Sequence, residues 1–539
     1  MHHNKSLRIT ASAVALALAA CSGLALAAQV PAGVKLAAKQ ELTRNTGSEP
    51  ESLDPVLAES VPANTITADL FEGLTATDSF GKVVPGVAES WKQTSPTTWV
   101  FKLRKNAKWS DGSAVTASDF VYGWQRFVEP KTASPYASTY GIFILNGKEI
   151  TEGKKPASAL GVKAVDKYTL EVQTPYPVPF MPSLVANTQL APLPKATIDK
   201  FGKDWTKPGK MVSNGAFALK DWQVNSKVVV EKNAQYWDVK NVQLGKITYL
   251  PIEDHNADVK LYESGENDWV LELPSGTYDK YKTQYPKEIR NAPFLGLRYY
   301  SLNNKDPLLK DVRVRKALSM VIDRDILAKK VTADGQSPAY SAIVAGTAGA
   351  DVTSYDWAKW PMAKRVEEAK KLLAQAGVQP GTKLKFAYNT SDYHKKMAIF
   401  AASEWKSKLG LNTELESLEF KVLLKKRHDA DYQIARNGWV ADYNDATTFL
   451  ALVQCDNDQN DNKNCNAKAE ALIKQGSDTT DQAKRKQLFT QAVKMIMDDY
   501  PMIPLLQYTA PRLVKSYVGG YGKNPMDRYR GKDLYIIQH

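Results

Sequence analysis

Cysteine is scarce in this chain, with three residues in 539, and histidine is nearly so, with six. His2, His3 and His539 lie at the ends, which leaves His255, His394 and His428 inside. A zinc site needs several clustered ligands, and the one compact group, Glu253-Asp254-His255, is read as a surface loop. The motifs of common chemistry are missing too: no G-x-S-x-G, no P-loop, no H-E-x-x-H and no G-x-G-x-x-G. Carboxylates are too numerous, at 58, for a general acid/base pair to stand out. No catalytic residue, metal or cofactor is expected. An exported hydrolase is the alternative from a different class, and the missing nucleophile motifs count against it. No long Gly/Ser or Pro-rich linker divides the chain, so crossings between domains are short.

Basic blocks are also absent. The formal net charge is +13, yet the basic residues are interleaved with acids, as in KKRHDAD (425–431). That mixture describes a solvated surface and speaks against nucleic acid as a partner.

The N-terminus carries export information. Lys5 and Arg8 precede an apolar run from Ile9 to Ala20, and Ala25-Leu26-Ala27 closes the segment. A basic head, an apolar middle and an A-x-A end form a secretory signal. The run is short of the about 20 residues that span a bilayer. Cleavage after Ala27 is expected. The alternative is Leu18-Ala19-Ala20-Cys21, which resembles a lipobox and would anchor the chain through a lipid on Cys21. Removal of Lys5 and Arg8 leaves 69 basic against 58 acidic residues, a net charge of +11. In an oxidising compartment Cys455 and Cys465 are expected to form a disulfide. Asp456, Asp458 and Asn460 imitate a calcium loop, but Asp461 replaces its glycine and Ala467 its twelfth-position acid.

More than 500 residues exceed one core, so two or three domains are expected. Strand and helix patterns alternate. TWVFKLR (98–104), SKVVVEKN (226–233), KITYLPI (246–252) and KLKFAYN (383–389) read as strands. After the turn at Asp111-Gly112, Thr116 with Asp119 marks a helix start. DVRVRKALSMVIDRDILAKKV (311–331) reads as one helix with a stripe at 314, 317, 318, 321 and 322. VEEAKKLLAQAG (366–377) is another, capped by Gly377. The mixture predicts an α/β fold. Aromatics are plentiful, with 12 Trp and 25 Tyr, a supply of rings suited to ligand walls as well as cores.

Several segments carry a family resemblance. SEPESLDP (48–55), DLFEGL (69–74), PGVAESW (85–91), LRKNAKWSDGSAVTASDFVYGWQR (103–126), EPKTASPYAS (129–138), SNGAFALKDW (213–222), DVRVRKALSM (311–320), YNTSDYHKK (388–396) and LYIIQH (534–539) occur in family order. The chain resembles periplasmic solute-binding proteins of the peptide/nickel/oligopeptide class, with the oligopeptide and murein-peptide branches both near. The resemblance implies a bilobal periplasmic binding protein fold with an extra domain. Domain I would comprise 28–70, 195–293 and 510–539, domain II 71–194, and the second lobe 294–509. It further implies a monomeric periplasmic receptor that encloses short peptides between lobes and hands them to an inner-membrane ABC permease.

Residue by residue, Asp442 in GWVADYN matches the aspartate that meets the peptide amine. Arg436, Arg427 and His394 match residues that meet ligand carboxylates at different peptide lengths. Glu59 in AESVPAN matches a pocket acid, and Tyr136 and Trp439 match lining aromatics. Tyr443 is expected to share the wall with Trp439, and Gly438 to admit the ligand backbone. There are departures. Val440 replaces a cysteine and is shared with the murein-peptide branch. Phe420 replaces a tryptophan, Ser301 an acid and Thr332 a lysine. These changes reshape side-chain pockets and leave murein tripeptide or another small solute as the alternative ligand.

Overall fold

The computed structural model describes residues 30–539, apart from 275, 419, 456 and 458 and the side chains of 392, 420 and 421. The secretory segment and both of its cleavage sites lie outside the described residues.

In chain order, the elements that matter begin with β1 (Glu41–Asn45), α1 (Val61–Leu70), β2 (Ala88–Ser95), β3 (Thr98–Leu103) and α2 (Ala117–Val128). Next come β4 (Val162–Asp166), β5 (Thr169–Gln173), β6 (Phe217–Gln223), β7 (Lys227–Lys232), β8 (Lys246–Leu250) and β9 (Pro293–Leu302). The later part holds α3 (Val312–Met320), β10 (Ser337–Pro338), α4 (Met362–Gln375), β11 (Lys383–Asn389) and α5 (Asp392–Leu409). It ends with β12 (Asn412–Leu418), α6 (Phe420–His428), β13 (Ile434–Val440) and β14 (Met502–Thr509).

Three sheets organise these strands, with orders β1-β8-β7-β6, β2-β3-β5-β4 and β10-β14-β9-β13-β11-β12. Two large cores result. One gathers side chains from Leu42 to Trp269, and Val514 to Ile536 return to it. The other runs from Leu295 to Leu506 and also takes in Met526. The molecule is therefore a two-lobed α/β protein, whose last strands rejoin the first lobe.

Local chemistry explains most elements. The box predicted for α2 is formed: the Thr116 N–H donates to Asp119 Oδ2 at 2.7 Å. Gly377 has φ +72°, the left-handed geometry in which glycine ends α4 without a Cβ clash. The helix expected over 311–331 is instead broken after Met320. Asp323 caps a new short turn by accepting from the Ile326 N–H at 3.0 Å. Buried Arg324 donates to the carbonyl of Ser319 at 3.0 Å, an acceptor that a continuous helix would use, and to that of Pro504 in β14 at 2.8 Å. Cys455 and Cys465 are joined in a disulfide, with Cα atoms 4.5 Å apart. Among the described residues no helix is long and apolar enough to cross a membrane.

In the six-stranded sheet, β11-α5-β12 and β12-α6-β13 put their helices on opposite faces. Tyr300 Oη donates to the Met397 carbonyl of α5 at 3.0 Å, whereas Ala435 packs with Leu423 of α6. Tyr300 pairs with Arg436, and Ser301 with Ala435, so adjacent residues select opposite faces. β11, with α5 departing to one neighbour and β13 on its other side, marks a topological switch. Ligands of open α/β sheets lie beyond the carboxyl ends of strands at such a point.

Candidate ligand-binding site

His394 leaves the first turn of α5, just beyond the end of β11, and Asp442 follows the end of β13. The two aspartates of the β13 loop have different fates. Asp445 is buried and paired, accepting from Arg485 Nη1 and Nη2 at 2.7 and 2.8 Å. Among the described residues, no side chain donates to the Asp442 carboxylate. Burial raises its pKa to about 6, against the opposing pull of Arg528. Its backbone is held instead: the N–H donates to Thr448 Oγ1 at 3.4 Å, and Arg528 Nη2 donates to the carbonyl at 3.4 Å. Arg528 Nη1 also donates to Asn187 Oδ1 at 2.5 Å, which ties three distant stretches together.

Tyr136 and Tyr140 stack with centroids 4.8 Å apart in the field of Asp442. Burial, reinforced by the Asp442 charge, pushes the Tyr136 phenol up to about 12. Glu59 and Glu51 act on the same phenol. Glu59 is exposed, and its N–H donates to Glu51 Oε1 at 2.6 Å. Four of the sequence-derived residues, Asp442, Tyr136, Glu59 and Tyr443, thus come into one neighbourhood. Tyr443 does not line it as a free wall. Its ring stacks on Phe180 at 4.5 Å, meets Phe143 edge-on at 5.8 Å and is buried in the first lobe's core.

A second group lies on the α5 face of the sheet. Arg436 and Gly438 of β13 stand opposite Tyr300 and Arg298 of β9. His394 is near them: burial, with Arg436 and Arg298 beside it, depresses its pKa to about 3, and its Nδ1 is buried without a partner. Arg436 forms no ion pair among the described residues. Its pKa is lowered by burial and by Arg298 and Arg427, with Tyr508 opposing. Gly438 has a concrete steric reason: a Cβ there would sit 2.3 Å from Tyr508 Oη. The space it opens is taken by a tyrosine of the protein itself.

Arg427 belongs to the other face. Its Nε lies 3.2 Å from Asp461 Oδ2, and its Nη1 donates to the Arg436 carbonyl at 3.3 Å and to Asn437 Oδ1. Asn437 Nδ2 donates in turn to Ser301 Oγ at 2.9 Å. Trp439 also faces away from Arg436, giving its indole N–H to Thr448 Oγ1 at 3.1 Å. Val440 is 47% exposed. Thr332 is buried, its hydroxyl directed to the Leu327 and Ala328 carbonyls at 3.2 Å. The side chain of Phe420 lies outside the described residues.

Sequence reasoning missed Arg298, Arg528, Tyr508 and Phe180. Alternation in GLRYYSL (296–302) is the one local signal for any of them, since it places Arg298 on the Tyr300 face.

A two-lobed α/β molecule that, among its described residues, leaves a half-buried acid and two half-buried arginines of its central strands without ion-pair partners is a ligand-capturing protein in form. The chain belongs to the bacterial extracellular solute-binding proteins, family 5, whose middle-region model matches residues 82–461. It is 46% identical to the periplasmic oligopeptide-binding protein OppA of Escherichia coli, over 99% of this chain and 100% of that one. Identity to the periplasmic murein peptide-binding protein MppA of Escherichia coli is 40%, over 96% and 97% of the two chains. Among solved structures, OppA of Burkholderia pseudomallei superposes with a TM-score of 0.82 at 48% identity, covering 93% of this chain and 100% of that one. These relatives are named as binding proteins, not enzymes.

Proposed function

We propose that this protein is a monomeric periplasmic receptor of an ABC importer, which encloses short peptides between its lobes and delivers them to an inner-membrane permease. One observation carries the reading: among the described residues neither the half-buried Asp442, just past the carboxyl end of β13, nor the half-buried Arg436, within β13 and beside His394, has an ion-pair partner. A free peptide has one charge for each, and leaving either protein charge buried without a counter-ion is costly. Arg427 serves the site through the strand it braces, and Glu59 and Tyr136 border the amine end. Val440 and Gly438 edge the cleft, and Trp439 and Tyr443 hold the loop behind Asp442. The lobes divide at the boundaries expected above, supported by two separate cores and the return of 514–536 to the first. Hinged lobes of this kind close over ligand. The mature chain begins at Ala28, free of lipid, and has no hydrolytic activity.

Native mass spectrometry of the protein as purified tests the reading. Bound masses corresponding to short peptides support it, while murein-tripeptide masses would assign the ligand of the murein branch. Cleavage of added peptides would refute the receptor role, and the intact mass reports the start at Ala28 against a lipid on Cys21.

A further inference from the structure

Arg298 is a cation without a carboxylate partner among the described residues. Its guanidinium carbon lies 4.0 Å from the Tyr508 ring centroid and 4.5 Å from that of Tyr393, so the group is held between two aromatic faces. Its Nε is buried with no hydrogen bond. Among the described residues it makes no ion pair. The acids whose charge reaches it are Glu272 and Asp334. Glu272 is 62% exposed and lies 4.0 Å from His255 Nε2. Asp334 is buried and accepts a backbone hydrogen bond from Gly276. Neither comes within ion-pair distance of Arg298. Aromatic stacking fixes the plane of a guanidinium but leaves its N–H donors unsatisfied.

The strand register sets what this cation faces. Arg298 stands opposite Gly438, and two residues along on the same face Tyr300 stands opposite Arg436. Arg298 and Arg436 are therefore diagonal neighbours on one surface of the sheet. Both act on His394, so the three groups form one cluster. The glycines make room for Tyr508, the ring that holds Arg298: a Cβ at Gly296 would lie 2.8 Å from Tyr508 Cδ2, and one at Gly438 2.3 Å from its Oη. Two adjacent guanidiniums repel each other, and one ligand carboxylate balances only one of them.

We propose that Arg298 makes this receptor prefer peptides whose last residue is acidic: Arg436 and His394 take the terminal carboxylate while Arg298 takes the side-chain carboxylate. This rests on the peptide-receptor reading and narrows its substrate class.

The test is calorimetric titration of ligand-free protein, at low salt and neutral pH, with alanine-based tri-, tetra- and pentapeptides ending in Glu or in the isosteric Gln. The Glu peptide of at least one length should bind about tenfold or more tightly than its Gln counterpart, the difference expected for one charged hydrogen-bonded contact. In Arg298→Met the ratio should fall to about one, and Arg298→Lys should retain part of it, as a point charge does in place of a planar fork. Equal affinities at every length, or a preference that survives in Arg298→Met, overturns the proposal and leaves peptide reception standing. Failure of every peptide to bind overturns the receptor reading and this proposal with it. The Glu/Gln comparison in the unsubstituted protein needs no variant to fold.

Discussion

Tyr443 lies face to face on Phe180, with ring centroids 4.5 Å apart and planes 1° from parallel. Tyr443 comes from the loop after β13, whose sheet forms the second lobe, yet its ring is buried in the first core. The loop carrying Asp442 is therefore clamped on both sides: by Asp445 with Arg485 in the second lobe, and by this stack in the first. Stacked rings contribute beyond their buried area. A double-mutant cycle of Tyr443→Leu and Phe180→Leu, followed by denaturant unfolding, should show a coupling of about 0.5–1.5 kcal/mol. Additive effects would mean that the contact does not join the lobes in solution.

Asp442 and Asp445 make a paired prediction. Asp442→Ala removes the counter-charge for a ligand amine and should weaken free-amine peptides by about 2–5 kcal/mol, read by calorimetry. Asp445→Ala strands the buried Arg485 and should instead cost about 3–5 kcal/mol of folding stability. Unchanged peptide affinity in Asp442→Ala would remove that residue from the site.

The pH dependence of Asp442 has a definite sign. Its carboxyl is raised to about 6 in the folded protein from an ordinary value of 3.8. Between those values the folded state binds more protons than the unfolded state, so this group makes the ligand-free protein less stable as pH rises. Asp442→Asn should therefore raise the melting temperature at pH 7.5 and leave it nearly unchanged below pH 4. Peptide binding has the opposite slope, because an amine needs the ionised carboxylate, and affinity should fall as pH drops through about 6. A pH-independent affinity between 5 and 7 would contradict the binding statement, and an Asp442→Asn melting temperature that is not raised at pH 7.5 would contradict the stability statement.

Arg427 and Arg436 lie nine residues apart and divide the same chemistry between two faces of one sheet. Arg427 is held against Asp461 at 3.2 Å, whereas Arg436 has no such partner among the described residues. Arg427→Ala should lower stability by about 3–5 kcal/mol, since it takes the guanidinium from the buried Asp461 carboxylate and leaves it the Asn437 amide at 3.1 Å and His428 at 3.9 Å. Arg436→Ala should lower peptide affinity with little loss of stability. The two are separated by measuring denaturation midpoints and calorimetric affinities side by side.

That division was hidden in the sequence, where both arginines read alike. Local features were legible because their causes are local: Thr116 and Asp119 are three residues apart, and the alternation in TWVFKLR needs no partner strand. The break in the helix over 311–331 was not, because Arg324 finds one of its acceptors at Pro504, far along the chain. The segment 436–443 was legible as a concentration of charge and aromatics. Its partners Phe180, Arg298 and Arg528 come from three remote segments, and only the fold brings them to it.

His394 supplies the last prediction, and its sign is opposite to that of Asp442. Burial, Arg436 and Arg298 depress its pKa to about 3 from an ordinary 6.5. Between those values the unfolded state binds more protons, so the group's contribution to stability is present above about 6.5 and is lost as pH falls toward 3. A ligand carboxylate placed among these cations cancels part of their field and raises the histidine's pKa, so binding should take up protons at mildly acidic pH. The amine end works the other way, since ionising Asp442 for its ligand releases protons. The two are separated by titrating peptide into the Asp442→Asn variant at pH 5.5 in buffers of different ionisation enthalpy. Net proton uptake should appear there and vanish when His394→Gln is added. No dependence on buffer in the first variant would place the ligand carboxylate away from His394.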